Sequence, residues 1–197
     1  MNYLQELVSQ NGWELKVKRL DTRAIIPSKE EENSGYDLYP VFNEDYVLIP
    51  VGGNHLFNTG LAVQLPKGFG FVIANRSGNG SKGAVYGAHI VDSGYRGEVF
   101  LDVHNISGKT IIVSDLSYEE MKKREMEKIE NSKNTVASLL SMVFPYIFPK
   151  KDDVIILLKS KALVQAMILP TFHFPVREVD ELDESIRGEG SRGSSGK

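Results

Sequence analysis

Short runs of β-branched and aromatic residues, each bounded by turn-forming residues, recur along most of this chain. Turn-forming clusters such as Pro50-Val-Gly-Gly53, Pro66-Lys-Gly68 and Ser107-Gly108 separate these runs. Many short strands at such spacing are typical of a β-sandwich or a distorted jelly roll. We therefore predict a mainly β fold, with strands over 13–20, 46–49, 55–65, 70–74, 85–91, 99–103, 111–113, 154–158, 163–168 and 174–179.

Two stretches depart from this strand pattern. Leu4, Leu7 and Val8 share one helical face before Gly12, which predicts a short N-terminal helix. The stretch 114–153 opens with Ser117-Tyr-Glu-Glu120, a capping-box pattern, and continues through a run dense in Lys and Glu to about residue 133. A second, apolar helix is predicted over 135–144, too short for a membrane span of about 20 residues.

These patterns divide the chain into three parts. A β core is predicted over 1–113 and 154–186, a small and mainly helical insertion over 114–153, and a flexible tail over 187–197. The tail is rich in Gly, Ser and Arg and has no side chain that could enter a core. It fits either a disordered polar terminus or an anion-binding segment, because backbone N–H groups, hydroxyls and guanidinium groups all bind anions.

A second Gly-rich segment, NRSGNGSKG at 75–83, follows the apolar run 71–74. Arg76, Ser77 and Lys82 offer two cations and a hydroxyl at the end of a predicted strand, and the glycines let the main chain approach a ligand closely. The segment lacks the Gly-Lys-Ser/Thr ending of a Walker loop. It therefore predicts a phosphate-binding turn of another kind, with a plain surface turn as the alternative.

The segment 86–105 reads as a hairpin-like ribbon that turns at Asp92-Ser-Gly94. A carboxylate at a strand end beside a phosphate site can orient and deprotonate water. Asp92 fits that role and fits an Asx-turn equally well. Tyr95 fits either packing on a strand or stacking on a sugar.

Composition narrows the classes of partner. With a net charge of −3, the chain has no overall basic field for nucleic acid or an anionic membrane, and neither is expected as a partner. The absence of cysteine excludes disulfides and thiolate metal sites. The four histidines show no metal-ligand spacing. No basic-then-apolar segment opens the chain, so a cytoplasmic location is expected.

Five motifs in order resemble those of the trimeric dUTPase family, and together they span most of the chain. They are SGYDLYP at 34–40, NRSGNGSKG at 75–83, GAHIVDSGYRGEV at 87–99, QAMILP at 165–170 and RGEGSRGSSG at 187–196. The resemblance implies a jelly-roll (β-clip) protomer in a homotrimer with shared active sites. It also implies hydrolysis of dUTP to dUMP and pyrophosphate, which keeps uracil out of DNA and supplies dUMP.

The resemblance further implies a role for each matched residue. Asp92 would be the general base for the water that attacks the α-phosphorus. Asp37 would act nearby, either through water bound to Mg²⁺ or by bracing the site, and the Mg²⁺ would bridge the triphosphate oxygens. Tyr95 would lie beneath the deoxyribose, the main chain near Gly87 would read the uracil, and the tail would close over the phosphates. The implied substrate-binding residues are Arg76, Ser77, Gly78, Gly87, Ala88, His89, Tyr95, Gln165, Arg187, Gly188, Arg192, Gly193, Ser194 and Ser195.

The chain departs from the family pattern at several places. Arg192 stands where the family has an aromatic residue over the uracil, and a guanidinium plane is able to stack on a base. Ala162 stands where the fourth motif has an arginine, and His89 replaces a small residue, where it would crowd or hydrogen-bond the pyrimidine. Residues 114–153 are inserted where the family has a short connection, as in some bacteriophage dUTPases.

Two other functions remain open from the sequence. The segment 88–95 also resembles dCTP deaminases of the same fold, and Asp102 falls about where those enzymes have a catalytic glutamate. A regulatory protein could instead bind a protein partner through 114–153 and use the nucleotide pocket as its switch.

Overall fold

Eleven strands, three α-helices and one 3₁₀ turn (Lys151–Asp153) form the part of the chain that the structure, a computed structural model, describes: residues 3–131 and 148–185. The helices are α1 (Tyr3–Gln10), α2 (Ser77–Gly80) and α3 (Tyr118–Asn131). The strands are β1 (Lys16–Arg19), β2 (Tyr36–Leu38), β3 (Val47–Ile49), β4 (Asn54–Gln64), β5 (Phe69–Asn75), β6 (Ala84–Tyr86), β7 (Ile90–Asp92), β8 (Glu98–Asn105), β9 (Thr110–Val113), β10 (Val154–Leu157) and β11 (Val164–Pro170).

Three sheets share these strands, in the orders β1-β4-β8-β6, β2-β11-β5-β7 and β10-β9-β3. Neighbouring strands are antiparallel except β9 and β10, which are parallel. Two parallel neighbours need a crossover connection of about a dozen residues or more. Here that crossover is the stretch 114–153, which contains α3.

The strands face a single main core. Along β8 the residues alternate between half-buried and buried, so that Val99, Leu101 and Val103 point inward, as expected of a strand with one face on the core. Phe57 of β4 and Phe71 of β5 pack in the same cluster. The prediction of a mainly β fold is confirmed, and so is the short N-terminal helix.

Helix α3 begins with the capping box that the sequence predicts. The hydroxyl and the backbone N–H of Ser117 both donate to the Glu120 carboxylate, at 2.6 and 2.9 Å, and the Glu120 N–H donates back to the Ser117 hydroxyl at 3.3 Å. The apolar face of α3 packs in a second cluster on the β10-β9-β3 sheet, where Met121 and Ile112 are fully buried. The predicted helix over 135–144 lies outside the described residues.

Ion pairs fasten the polar side of α3 to the loop before β3. Arg124 and Lys128 bind the Asp45 carboxylate at 2.9 and 3.0 Å. The hydrogen bond from Lys128 lowers the pKa of Asp45, against a smaller opposing effect of burial. No helix among the described residues is long and apolar enough to span a lipid bilayer.

Three details of the predicted strand pattern are wrong. The run 174–179 is extended but pairs with no described strand, and Pro175 in it lacks a backbone N–H. The run 85–91 divides into β6 and β7, which lie in different sheets, so 86–105 is not one hairpin: β8 pairs with β6, whereas β7 pairs with β5. Strand β2 was not predicted, because a three-residue strand inside a Gly- and Asp-containing motif has little periodicity to detect.

Candidate active site

A cleft of about 290 Å³ lies between the β6–β7 connection and β8. Three residues of the third motif line it: Ala88, Asp92 and Tyr95. The rest of the lining is mainly apolar and consists of Leu56, Tyr86, Ile90, Val91, Glu98, Val99 and Phe100. The fold therefore brings the predicted base and the predicted aromatic residue into one concave site.

Asp92 ends β7, and its side chain is exposed to the cleft. Its carboxylate accepts no hydrogen bond from any described residue. The turn after it is closed by the backbone, since the Tyr95 N–H donates to the Asp92 carbonyl at 3.0 Å. The structure thus shows a backbone turn rather than the Asx-turn alternative, and the carboxylate is available to a water molecule.

The Tyr95 ring is held in place by its own turn. Its hydroxyl donates to the Glu98 carbonyl at 3.0 Å, and a Cβ at Gly97 would collide with the ring and its hydroxyl. Gly97 is therefore a supporting residue that sequence reasoning missed, although it follows Tyr95 closely in the third motif. The residue is 43% exposed and lines the cleft.

A second group of predicted residues meets at the end of the β2-β11-β5 sheet. Arg76 pairs with the Asp37 carboxylate at 3.3 Å and donates to the Ala162 carbonyl at 3.0 Å. Gln165 lies opposite Asp37 in the β2–β11 ladder and donates to the Asn75 carbonyl at 3.0 Å. The first, second and fourth motifs are thus joined by direct contacts, and Ala162 contributes to them through its backbone.

The Gly-rich turn after β5 forms the single helical turn α2. Ser77 and Gly78 are exposed there, while the Asn79 amide donates to the carbonyls of Ala162 and Leu163 at 3.2 and 2.8 Å. Asn79 therefore fastens the turn to the start of β11. Sequence reasoning missed this residue, because an Asn between two glycines reads simply as a turn former.

Asn75 connects this polar group with the cleft. Its carbonyl accepts from Gln165, and its side-chain oxygen accepts from the Tyr86 N–H at 2.6 Å. Tyr86 in turn donates its hydroxyl to the Phe100 carbonyl at 2.9 Å. Burial raises the pKa of Tyr86 to about 12, with a smaller contribution from the charge of Asp102, so the phenol stays a donor at physiological pH.

The segment between β6 and β7 carries Gly87, Ala88 and His89. The Gly87 N–H donates to the Asp102 carbonyl at 2.9 Å, whereas the peptide groups of Ala88 have no hydrogen-bond partner among the described residues. The His89 ring contacts the Ile73 carbonyl and the Tyr86 ring and does not line the cleft. The expectation that His89 crowds the pyrimidine therefore has no support in the ring's position.

Asp102 lies behind this segment and outside the cleft lining. Its carboxylate accepts from Asn54 at 2.9 Å and contacts His104 Nε2 at 2.9 Å. Burial alone would raise the pKa of Asp102, but these two hydrogen bonds and the charge of His104 together lower it. A Cβ at Gly87 would collide with both side chains, so the pair packs against the backbone of the segment. Nothing in this arrangement favours a deaminase.

Other parts of the molecule contribute less to the candidate site. A hollow of about 430 Å³ near Arg23 contains none of the predicted site residues. Arg23 in its lining pairs with Asp21, and hydrogen bonds from Arg23 lower the pKa of Asp21 to about 2. No three His, Asp or Glu side chains of the described ranges gather as a metal site. Six predicted residues lie outside the described part of the chain: Arg187, Gly188, Arg192, Gly193, Ser194 and Ser195.

Comparison with known proteins agrees with this arrangement. The dUTPase family model matches residues 21–117. A deoxyuridine 5'-triphosphate nucleotidohydrolase of Clostridium novyi is 31% identical over 186 residues, covering 92% of this chain and 98% of that protein. A similar one from Nautilia profundicola is 28% identical over 187 residues, covering 93% and 99%. The solved dUTPase of Staphylococcus bacteriophage 80alpha with dUpNHpp has a TM-score of 0.65 at 24% identity, covering 93% of this chain and 99% of that one.

Proposed function

This chain belongs to the dUTPase family, and from that premise we propose that it hydrolyses dUTP to dUMP and pyrophosphate. The observation that carries the proposal is the cleft in which the unpaired Asp92 carboxylate, the unpaired Ala88 peptide groups and the Tyr95 ring meet. These three features offer a proton acceptor, a base-reading edge and a flat surface for a sugar.

Asp92 is the general base in this proposal. Its carboxylate takes a proton from water as the water oxygen bonds to the α-phosphorus, and the bond from that phosphorus to the bridging oxygen breaks to release pyrophosphate. A positioned base of this kind contributes a factor of about 10² to 10⁴ to the rate. Exposure and the lack of a competing partner leave Asp92 free for this role.

The nucleoside end of dUTP fits the other two features. The Ala88 N–H would donate to O4 of uracil, and the Ala88 carbonyl would accept from N3–H. Cytosine presents an amino group and a bare N3 at those positions, so the same peptide groups would repel it. Tyr95 would lie beneath the deoxyribose and leave no room for a 2′-hydroxyl.

The triphosphate would extend toward the second polar group. Arg76, Ser77, Gly78 and Gln165 lie there, and the tail would supply Arg187, Gly188, Arg192, Gly193, Ser194 and Ser195. Mg²⁺ would be held mainly by the phosphate oxygens, with Asp37 acting through water, and it would neutralise part of the phosphate charge. The Asp37 carboxylate is about one-third exposed beside Arg76, which supports such an indirect role.

We further propose a homotrimer with shared sites. The stretch 171–185 forms no helix or strand and leaves Phe172, Phe174 and Val176 exposed by 77%, 74% and 99%. Apolar side chains exposed in this way mark interaction surfaces. A second copy of the chain that covered them would also receive the tail that follows. Light scattering of the purified protein tests the assembly.

We also propose that the inserted stretch 114–153 binds a protein partner. Because the apolar face of α3 is packed on the sheet, a partner would meet its outer face, where Glu119, Lys123 and Glu127 are exposed. Charge reversal at these positions is expected to leave dUTP hydrolysis unchanged, so the two roles can be separated.

One assay tests the proposed activity. The purified protein is incubated with dUTP, UTP and dCTP, and dUMP, pyrophosphate and deaminated products are separated and quantified. We expect dUMP and pyrophosphate from dUTP, with Asp92→Asn losing at least about 10²-fold in kcat while still binding a non-hydrolysable dUTP analogue. Asp152→Asn, an exposed carboxylate far along the chain, is the matched control. Deamination of dCTP without dUTP hydrolysis would refute the proposal.

A further inference from the structure

Strand β4 carries a bulge opposite the start of β8. The ladder pairs Asn58 with Phe100 and Ala62 with Glu98, so between these pairs three residues of β4 face a single residue of β8. Bulges are common next to active sites, where they redirect a neighbouring side chain. Glu98 belongs both to the pairing around this bulge and to the lining of the cleft.

Gly60 is the fixed point of the bulge. Its φ is +66°, in the left-handed region that favours glycine, and a Cβ there would lie 2.8 and 2.9 Å from the side chains of Asp21 and Ala24. The Gly60 carbonyl accepts from the N–H groups of Leu20 and Asp21 at 2.7 and 3.2 Å. Because the loop after β1 holds this buried residue, any group bound to the Gly60 N–H is held with it.

The Glu98 carboxylate binds that N–H. Its Oε1 accepts from the Gly60 N–H at 2.7 Å, and its Oε2 accepts from the side-chain amide of Asn58 at 3.0 Å. Glu98 is half-buried, and hydrogen bonds to a carboxylate are stronger than those between neutral groups. The first residue of β8 is therefore fastened to the bulge through both oxygens of its side chain.

The backbone of Glu98 holds a residue of the cleft. The Val99 carbonyl accepts from the Thr59 hydroxyl at 2.6 Å and so points toward β4. Successive carbonyls of a strand point to opposite edges, so the Glu98 carbonyl points away from β4. On that side it accepts from the Tyr95 hydroxyl at 3.0 Å. One residue thus joins the bulge to the cleft, with its side chain on Gly60 and its carbonyl on Tyr95.

We propose that Glu98 is a positioning residue, whose carboxylate holds the Tyr95 ring in the place from which it excludes a 2′-hydroxyl. This inference rests on the proposed function, in which Tyr95 lies beneath the deoxyribose. When the bonds of the carboxylate are lost, the start of β8 is free to shift, the Glu98 carbonyl shifts with it, and the ring follows its hydrogen-bond acceptor.

An isosteric substitution tests the proposal. Glu98→Gln keeps the shape of the side chain but replaces one acceptor with an NH2 group, which then faces the N–H of Gly60 or the NH2 of Asn58. The ratio of kcat/KM for dUTP over UTP should fall about fivefold, less than on loss of the Tyr95 ring. Glu127→Gln, the same change at an exposed carboxylate on α3, is the matched control and should leave the ratio unchanged.

A second substitution should reverse the effect. In the Glu98→Gln background, Asn58→Asp presents a carboxylate to the new NH2 group, so the amide oxygen of residue 98 again accepts from the Gly60 N–H. The ratio should return to within about twofold of the wild-type value. Asn58→Asp alone sets two carboxylates against each other and should lower the ratio as Glu98→Gln does. If Glu98→Gln lowers Tm but not the ratio, or if the double variant is no better than Glu98→Gln, the positioning role is wrong.

NMR of the free protein tests the same link without any substrate. In Glu98→Gln the amide proton of Gly60 should exchange faster and the ring resonances of Tyr95 should shift, and both should return in the double variant. Faster exchange at Gly60 with unchanged Tyr95 resonances would show that the bulge does not act on the ring, which would overturn the proposal. A wild type that does not hydrolyse dUTP would refute the proposed function instead, and these spectra would still decide whether Glu98 positions Tyr95.

Discussion

Met121 provides the sharpest test of how the inserted stretch relates to the rest of the fold. Its side chain on α3 is fully buried against Ile112 of β9, with Tyr118 and Phe148 in the same cluster. Truncating a buried Met to Ala removes its contacts and leaves a cavity, at a cost of about 2–5 kcal/mol. We take about 3 kcal/mol for Met121→Ala, because the cluster is small and borders residues that can partly relax into the space.

That loss corresponds to a fall in Tm of roughly 6–12 °C for a chain of this length. Thermal unfolding would be followed at one fixed protein concentration, since assembly makes Tm concentration-dependent. Lys123→Ala, an exposed change on the same helix, is the control and should shift Tm by at most about 2 °C. The kcat for dUTP should be retained below the transition, because the cleft lining and this cluster have no residue in common.

The opposite result would be equally informative. If Met121→Ala melts together with the wild type, α3 contributes no packing energy, and the cluster around Ile112 must be stabilised in another way. The insertion would then be a separable attachment, and a short linker in place of 114–153 should be tolerated. The parallel pairing of β9 and β10 argues against this, because the linker would have to run back along the whole strand.

Three further outcomes are expected. Tyr95→Ala should lower the ratio of kcat/KM for dUTP over UTP by about tenfold or more with little change in Tm, and an unchanged ratio would mean that the sugar is recognised elsewhere. Removal of residues 187–197 should leave Tm unchanged and reduce kcat/KM for dUTP severely, whereas an unfolded product would make the tail structural. Asp45→Asn should lower the free energy of unfolding by about 0.5–1 kcal/mol at neutral pH. Ion pairing lowers the pKa of Asp45 in the folded state, so this stabilisation is present above the unfolded pKa of Asp45 and is lost as pH falls. The unfolding curves of variant and wild type should therefore converge in acid.

Local sequence patterns were sufficient to predict those features that depend only on residues close together in the sequence. The capping box Ser117-Tyr-Glu-Glu120 predicted the start of α3, because its hydrogen bonds link residues three positions apart. The N-terminal helix and most strands followed from periodicity and turn residues in the same way. The motif order also pointed to the residues of the cleft, Ala88, Asp92 and Tyr95, before any distance was known.

Other features depend on contacts between residues distant in the sequence. The run 85–91 looked like one strand, and only the positions of β5 and β8 decide that its two ends belong to different sheets. The run 174–179 has the composition of a strand but no neighbouring strand to pair with among the described residues, and a strand is stabilised by its neighbours more than by its own propensity.

By itself, then, the sequence determined the class of fold and the start of α3, and it predicted which residues would meet in the cleft. The tertiary structure alone decided that Arg76 pairs with Asp37 and that Asn75 joins Gln165 to Tyr86 at the cleft. It also decided that the His89 ring contacts the Ile73 carbonyl and does not line the cleft. The reason is physical: propensities and caps act over a few residues, whereas the hydrogen-bond partner of a side chain depends on which strands the fold places beside it.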